Sequence, residues 1–90
     1  MGITVEDHKV VYYDEEQERK GEVTFPSIDQ DTVDINHTFV DPSLRGMGMA
    51  GKLIEAAAGE IRRQGKKAVL TCSYAVKWFE SHKEYQDILK

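Results

Sequence analysis

Ninety residues, 40% hydrophobic and 31% charged, describe one small domain spanning residues 1–90, because two domains would leave neither half enough chain for a core. Sixteen acidic residues against twelve basic give a formal net charge of -4, which argues against a broad polyanion-binding face and so against nucleic acid as a partner. The single cysteine excludes an internal disulfide framework and a cysteine-rich zinc site. Neither an apolar run of roughly 20 residues nor a basic start followed by an apolar core is present, so no membrane partner and a cytoplasmic location are expected.

Lys9-Val10-Val11-Tyr12-Tyr13 alternates in the manner of a strand with one covered face. The polar run Asp14–Gly21 has nothing to bury and reads as a hairpin loop into Glu22–Phe25, making an antiparallel pair. Pro26 removes an amide donor near the end of that strand, and residues 27–31 supply the next turn. Thr32–Val40 carries the best strand signal, with Val33, Ile35, His37 and Phe39 expected on one face and Asp34, Asn36 and Thr38 on the other.

The period changes from two to that of a helix across Asp41–Gly48. Beyond it Met49, Leu53, Ala57 and Ile61 recur every four residues with Ala50 and Ile54 beside them, a stripe suited to packing on a sheet, while Lys52, Glu55 and Arg62 face outward. Gly65 marks the helix end, and Arg62 and Arg63 suit the dipole of its last turn. Ala68–Cys72 suits a buried strand, and a strand–helix–strand connection of this length implies a parallel neighbour reached by a right-handed crossover. Val76–His82, with Trp78 and Phe79 on its core face, reads as a short final helix, and residues 84–90 as a tail.

The segment from Arg45 to Lys52 holds three glycines between a strand and a helix, where free amides and the helix dipole favour an anion, most often phosphate. A tight turn with a cap is the plainer reading of the same glycines. The letters of a dinucleotide-binding fingerprint are present, but the loop follows a meander rather than the first strand of a repeated unit, and no acidic residue ends the next strand. A triphosphate-binding loop would need Ser or Thr where Leu53 stands. The third candidate fits its context: Arg45-Gly46-Met47-Gly48-Met49-Ala50 resembles the R/Q-x-x-G-x-G/A signature of the GNAT superfamily of acetyl-coenzyme A-dependent N-acetyltransferases. The strings from Ile35 to Gly46, Thr71 to Trp78 and His82 to Asp87 resemble the very short members of that superfamily, of the YjdJ type.

That resemblance implies an α+β fold, a minimal GNAT-like domain: an antiparallel three-stranded meander, a crossover helix, a parallel fourth strand and a short C-terminal helix. It implies acetyl-coenzyme A as cofactor, its pyrophosphate held by Arg45, Gly46, Met47, Gly48, Met49 and Ala50. Its pantetheine arm would pair with the free strand edge at Thr38, Phe39 and Val40, and an amide near Thr38 would serve as an oxyanion donor. The implied reaction is attack of a neutral amine on the acetyl thioester, needing a route for the amine's proton and an acid for the departing thiolate.

His37, Cys72 and Tyr74 are the candidate catalytic residues, and each keeps a structural alternative. A histidine's titration range suits a proton acceptor, but sharing a face with Ile35 and Phe39 would also make His37 a hydrogen-bonded core residue. Cys72 is a candidate acetyl acceptor or mixed-disulfide partner of coenzyme A, or else a small buried hydrophobe. Tyr74 is a candidate proton donor, or a packing residue. His8 and His82 stand apart from other ligand types, so no metal is expected, and the acidic hairpin Asp14–Glu18 attracts a cationic amine or is merely solvated.

The expected function is acetyl transfer by a monomer to an amine on a small molecule or a protein. A non-catalytic acyl-coenzyme A module and a purely structural domain with a glycine turn are the alternatives.

Overall fold

The computed structural model describes residues 2–44 and 46–90. Strands β1 (Gly2–Val5), β2 (Lys9–Tyr13), β3 (Arg19–Thr24), β4 (Thr32–Ile35) and β5 (His37–Val40) precede helix α1 (Met49–Arg63), strand β6 (Lys67–Leu70) and helix α2 (Ser73–Ser81). Short 3-10 turns cover Pro42–Leu44 and Lys83–Ile88. An antiparallel sheet in the order β1-β2-β3-β5 stands beside a parallel pair, β4-β6, so the expected meander, crossover helix and parallel strand are all present. The meander gains an additional edge strand, β1, whose side chains are mostly exposed.

The segment expected as one strand from Thr32 to Val40 is two strands belonging to two sheets. The Asn36 amide donates to Thr24 O at 3.3 Å, and His37 is also registered against Thr24, so two residues oppose one in a β-bulge. The extra residue reverses the alternation downstream. Val33 and Ile35 are fully buried against α1, but Thr38 lies opposite buried Val23 and Val40 opposite Gly21, which turns these two toward α1. His37 and Phe39, opposite Thr24 and Glu22, go to the outer face and are exposed. The expectation that they share a face with Ile35, and that His37 is a core histidine, is therefore corrected.

Helix α1 forms as its sequence stripe requires: Met49, Leu53, Ile54, Ala57, Ala58 and Ile61 are buried against Val10, Val23, Phe25, Val33 and Ile35. It ends in a left-handed Gly65 (φ 72°), whose amide bonds Arg62 O at 3.0 Å. β6 stops at Leu70, two residues earlier than expected, and α2 starts at Ser73, three residues earlier. This puts Tyr74 in the first turn of α2, while Ala75, Trp78 and Phe79 join the core. Residues 84–90, expected only as a tail of unspecified state, are pinned. Arg62 reaches Asp87 through Nε at 3.0 Å and Glu84 O at 2.8 Å, its guanidinium lies 4.7 Å from the Tyr85 ring centroid, and Ile88 is buried.

Candidate functional site

The carbonyl of Ile35 accepts the amides of both Thr71 and Cys72, each at 3.2 Å, and this is the last link between β4 and the chain after β6. Past it β5 follows the antiparallel sheet while the other strand turns into α2, so a gap opens from Ile35 toward the glycine loop. A cleft of about 330 Å³ occupies it, lined by Thr38, Val40, Leu44, Gly46, Gly48, Met49, Ala50 and Tyr74.

One end of the cleft is shaped for an anion. Gly46 (φ 85°) and Gly48 (φ 70°) hold left-handed backbone that side chains rarely adopt, and a Cβ at either would meet nothing within 4 Å. The loop is thus open above its backbone. Gly48 is the N-cap of α1 and supplies no side-chain cap, and no acidic residue sits in the first turn, so among the described residues the leading amides of the helix have no side-chain acceptor. Asp41 shapes the approach to this loop. Its Oδ1 accepts the Ser43 amide at 2.9 Å and the Ser43 hydroxyl at 2.7 Å, and these bonds hold its carboxyl below the usual carboxylate range. Asp-x-Ser is a readable turn signal.

At the other end, Cys72 Sγ lies 3.5 Å from Thr38 Oγ1, across the gap between the two diverging segments. Burial pushes the Cys72 thiol up, but the Thr38 hydroxyl and the backbone amides of Ala75, Tyr74 and Thr38 outweigh it and hold the thiol below its ordinary value. The three candidate catalytic residues are thus dispersed. Tyr74 is in the cleft wall, Cys72 sits half-buried behind Thr38, and His37 stands outside on the opposite sheet face.

Of the candidate cofactor residues, Thr38, Val40, Gly46, Gly48, Met49 and Ala50 line the cleft. Phe39 points away from it, and Met47 is 60% exposed at its rim. Arg45 lies outside the described residues. Leu44 was not anticipated as lining; its alternation is masked by the turn. Nor was the polar ledge outside the gap, where Thr71 Oγ1 donates to Asp34 Oδ1 at 2.8 Å and Thr24 Oγ1 to Asn36 Oδ1 at 2.6 Å. Among the described residues no helix is long and apolar enough to cross a membrane.

Comparison with solved structures places this gap in a known setting. A GCN5-like protein of Staphylococcus aureus, assigned to the N-acetyltransferases, shares 30% identity over 98% of this chain and 86% of its own, with a TM-score of 0.77. A Pyrococcus furiosus protein named for acetyl transfer is 26% identical, covering 87% of this chain and 59% of its own, TM-score 0.67. The GNAT-family N-acetyltransferase YhbS of Escherichia coli, solved in complex with CoA, is 25% identical over 69% of this chain but only 38% of its own length, TM-score 0.63. No curated protein matches significantly. The model of the GCN5-related N-acetyl-transferase family matches residues 9–88, nearly the whole chain. With its signature glycines at the start of α1 and its strands parting at Ile35, this chain belongs to the GCN5-related N-acetyltransferases.

Proposed function

We infer that this chain binds acetyl-CoA in the cleft between β5 and α2 and transfers the acetyl group to an amine, of a small molecule or of a protein. One observation carries the reading: a single continuous cleft joins an uncapped helix N-terminus at Gly48 to an unpaired strand edge at Thr38–Val40. The first suits a pyrophosphate and the second an amide-bearing arm laid down as an added strand. The complex of YhbS with CoA supports the same ligand.

In this reading Gly46, Met47, Gly48, Met49 and Ala50, with Arg45, hold the pyrophosphate, and Thr38, Phe39 and Val40 offer backbone groups to the pantetheine. Bound acetyl-CoA supplies an activated acyl carbon. The chain orients that carbon near Thr38, whose amide faces the carbonyl oxygen as it gains negative charge. A C–N bond to the acceptor forms as the C–S bond breaks. The amine's surplus proton leaves on the outer side, where His37 stands, and the thiolate takes a proton from Tyr74 in the cleft wall. Cys72 acts either by holding Thr38 in place or by carrying the acetyl group itself.

The test is a melting curve with acetyl-CoA, CoA, ATP and NAD, followed by acetyl transfer to amines and peptides by the parent and by Cys72→Ala, His37→Ala and Tyr74→Phe. Stabilisation by both CoA species alone, with transfer reduced in the variants, is expected. Stabilisation without any transfer would leave a non-catalytic acyl-CoA module, and no stabilisation would reduce the glycine loop to a turn.

A further inference from the structure

We propose that Asp7, His8 and Ser27 form a second reactive centre, in which Ser27 is a nucleophile toward short uncharged esters and the three side chains together hydrolyse them. This centre is independent of the acetyl-transfer reading.

The three residues meet because two turns close on each other at the end of the sheet away from the glycine loop. The turn after β1 is held by two bonds: Gln64 Nε2, at the C-cap of α1, donates to Asp7 O at 3.3 Å, and His8 O accepts the Phe25 amide at 2.8 Å. The register of β2 on β3 puts His8 opposite Phe25, which is fully buried, and their ring centroids are 6.4 Å apart. Ser27 comes two residues later on the same face, opposite fully buried Val33. Its backbone is held on either side, as the Asp34 amide donates to Pro26 O and the Ile28 amide to Thr32 O, each at 2.9 Å. Asp7 and Ser27 are exposed and His8 is half-buried, so a small ester reaches them without a pocket.

The contacts give each side chain a role. His8 Nε2 lies 2.8 Å from Ser27 Oγ, and Asp7 Oδ2 lies 3.1 Å from His8 Nδ1. The carboxylate favours the tautomer with its proton on Nδ1, which leaves Nε2 to accept from the hydroxyl. A nucleophile within reach of a base, and a base oriented by a third group, is the arrangement that activates a hydroxyl. Among the described residues His8 is the one histidine with a hydroxyl at its ring. The other ring contact, from His82 Nδ1 at 2.7 Å, is to the Trp78 carbonyl.

An oxyanion donor is present as well. Ser27 and Val33 are a pair whose hydrogen bonds run through their flanking residues, so the N–H of Ser27 points away from β4. On its other side β2 has already turned, the Glu6 amide bonding Lys9 O at 2.8 Å. The Ser27 amide therefore has no acceptor among the described residues and stands beside its own hydroxyl, where a carbonyl oxygen gains charge during attack. Glu6, Asp7, Asp29 and Asp31 belong to the same two turns and disfavour an anionic ester.

In the reaction Ser27 Oγ bonds to the ester carbonyl carbon as its proton passes to His8 Nε2. The bond from that carbon to the alcohol oxygen breaks, and the same proton leaves with the alcohol. Water then repeats the sequence on the acyl-serine, releasing the acid and restoring the hydroxyl.

The test exposes the full chain to an uncharged alkyl fluorophosphonate and locates the adduct by peptide mass mapping. One phosphonyl group on Ser27 is expected, with fluoride released. The adduct is expected to form about 100-fold more slowly in His8→Gln, the worth of a general base, and about fivefold more slowly in Asp7→Asn, the worth of one exposed ion pair. Over many turnovers the parent is expected to hydrolyse p-nitrophenyl acetate faster than Ser27→Ala. No adduct on Ser27, an adduct formed as fast in His8→Gln, or equal ester turnover by the parent and Ser27→Ala would overturn the proposal. Should His8→Gln fail to fold, labelling of the native parent against the same chain in urea decides, and equal rates on Ser27 would mark it as an ordinary serine.

Discussion

A Cβ placed on Gly51 would lie 3.3 Å from Nε1 of Trp78, so helices α1 and α2 touch where one of them has no side chain. The indole has little room to yield. It stacks on His82 at a centroid distance of 3.9 Å, meets Phe79 edge-on and adjoins Tyr85 at 5.6 Å. Gly51→Val is therefore expected to destabilise by about 1–3 kcal/mol as an overpacked contact, despite valine's better helix propensity. Because Tyr74 sits one turn before Trp78, the same variant should loosen the cleft wall. Thermal melts and tryptophan emission, with and without CoA, check both effects.

The glycine loop allows a different kind of test, because space and backbone can be separated there. At Gly48 a Cβ meets nothing within 4 Å, but φ is 70°, so Gly48→Ala is charged only for left-handed backbone, about 1–2 kcal/mol. Any relaxation of that strain turns the leading amides of α1 away from a common point. CoA affinity by titration calorimetry is expected to fall about tenfold or more, equivalent to losing roughly one charge-assisted hydrogen bond. Unchanged affinity would remove the loop from the binding site.

For Cys72 the sign follows from the balance of burial against hydrogen bonds. Its folded value lies below that of an ordinary thiol, so the thiolate persists to lower pH than in the unfolded chain. The rate of alkylation by iodoacetamide should rise with pH at a midpoint below that of a free cysteine. Thr38→Val removes the hydroxyl 3.5 Å from Sγ and should move the midpoint upward. Saturating CoA should slow the reaction at every pH.

Glu60 provides a stability test remote from the cleft. Hydrogen bonds from the Arg63 guanidinium, first, and from Gln64 lower its carboxyl from 4.5 to about 2. A depressed folded value means that the unfolded chain binds the proton more readily, so stability is fully present above the ordinary value and is lost as pH falls toward about 2. Glu60→Gln is expected to melt below the parent at neutral pH, with the difference closing across that acidic interval. A constant difference at all pH values would show that the charge is irrelevant.

Much of the fold was legible because periodicity reports which faces are covered. The stripe Met49–Ile61 carries its burial in the order of its residues, whereas in Lys9–Tyr13 the neighbours Val10 and Val11 are both fully buried, so the expected single covered face of that strand is corrected. The bulge at Asn36 was not legible, since apolar letters continue to alternate through Ile35, His37 and Phe39 while the chain beneath them skips a residue. A period-two pattern cannot register such an insertion. The same skip exchanged His37 and Phe39 for Thr38 and Val40 at the cleft. Gly46 and Gly48 were readable because their backbone role depends on residue type alone. The link between Asp34 and Thr71 was hidden, because the two are distant in sequence and adjacent only after β4 and β6 pair.

The parting of the strands at Ile35 leaves β5 hydrogen-bonded to β3 along one edge only. The amides on its other edge should exchange with deuterated solvent at rates set by the solvent rather than by global unfolding. An amide-bearing arm lying in the cleft would become the neighbour that β6 declines to be. Arrival of the ligand and closure of the sheet would then be one event, and slowed exchange at Thr38 and Val40, whose amides alternate away from β3, would record the moment at which the domain acquires its seventh strand.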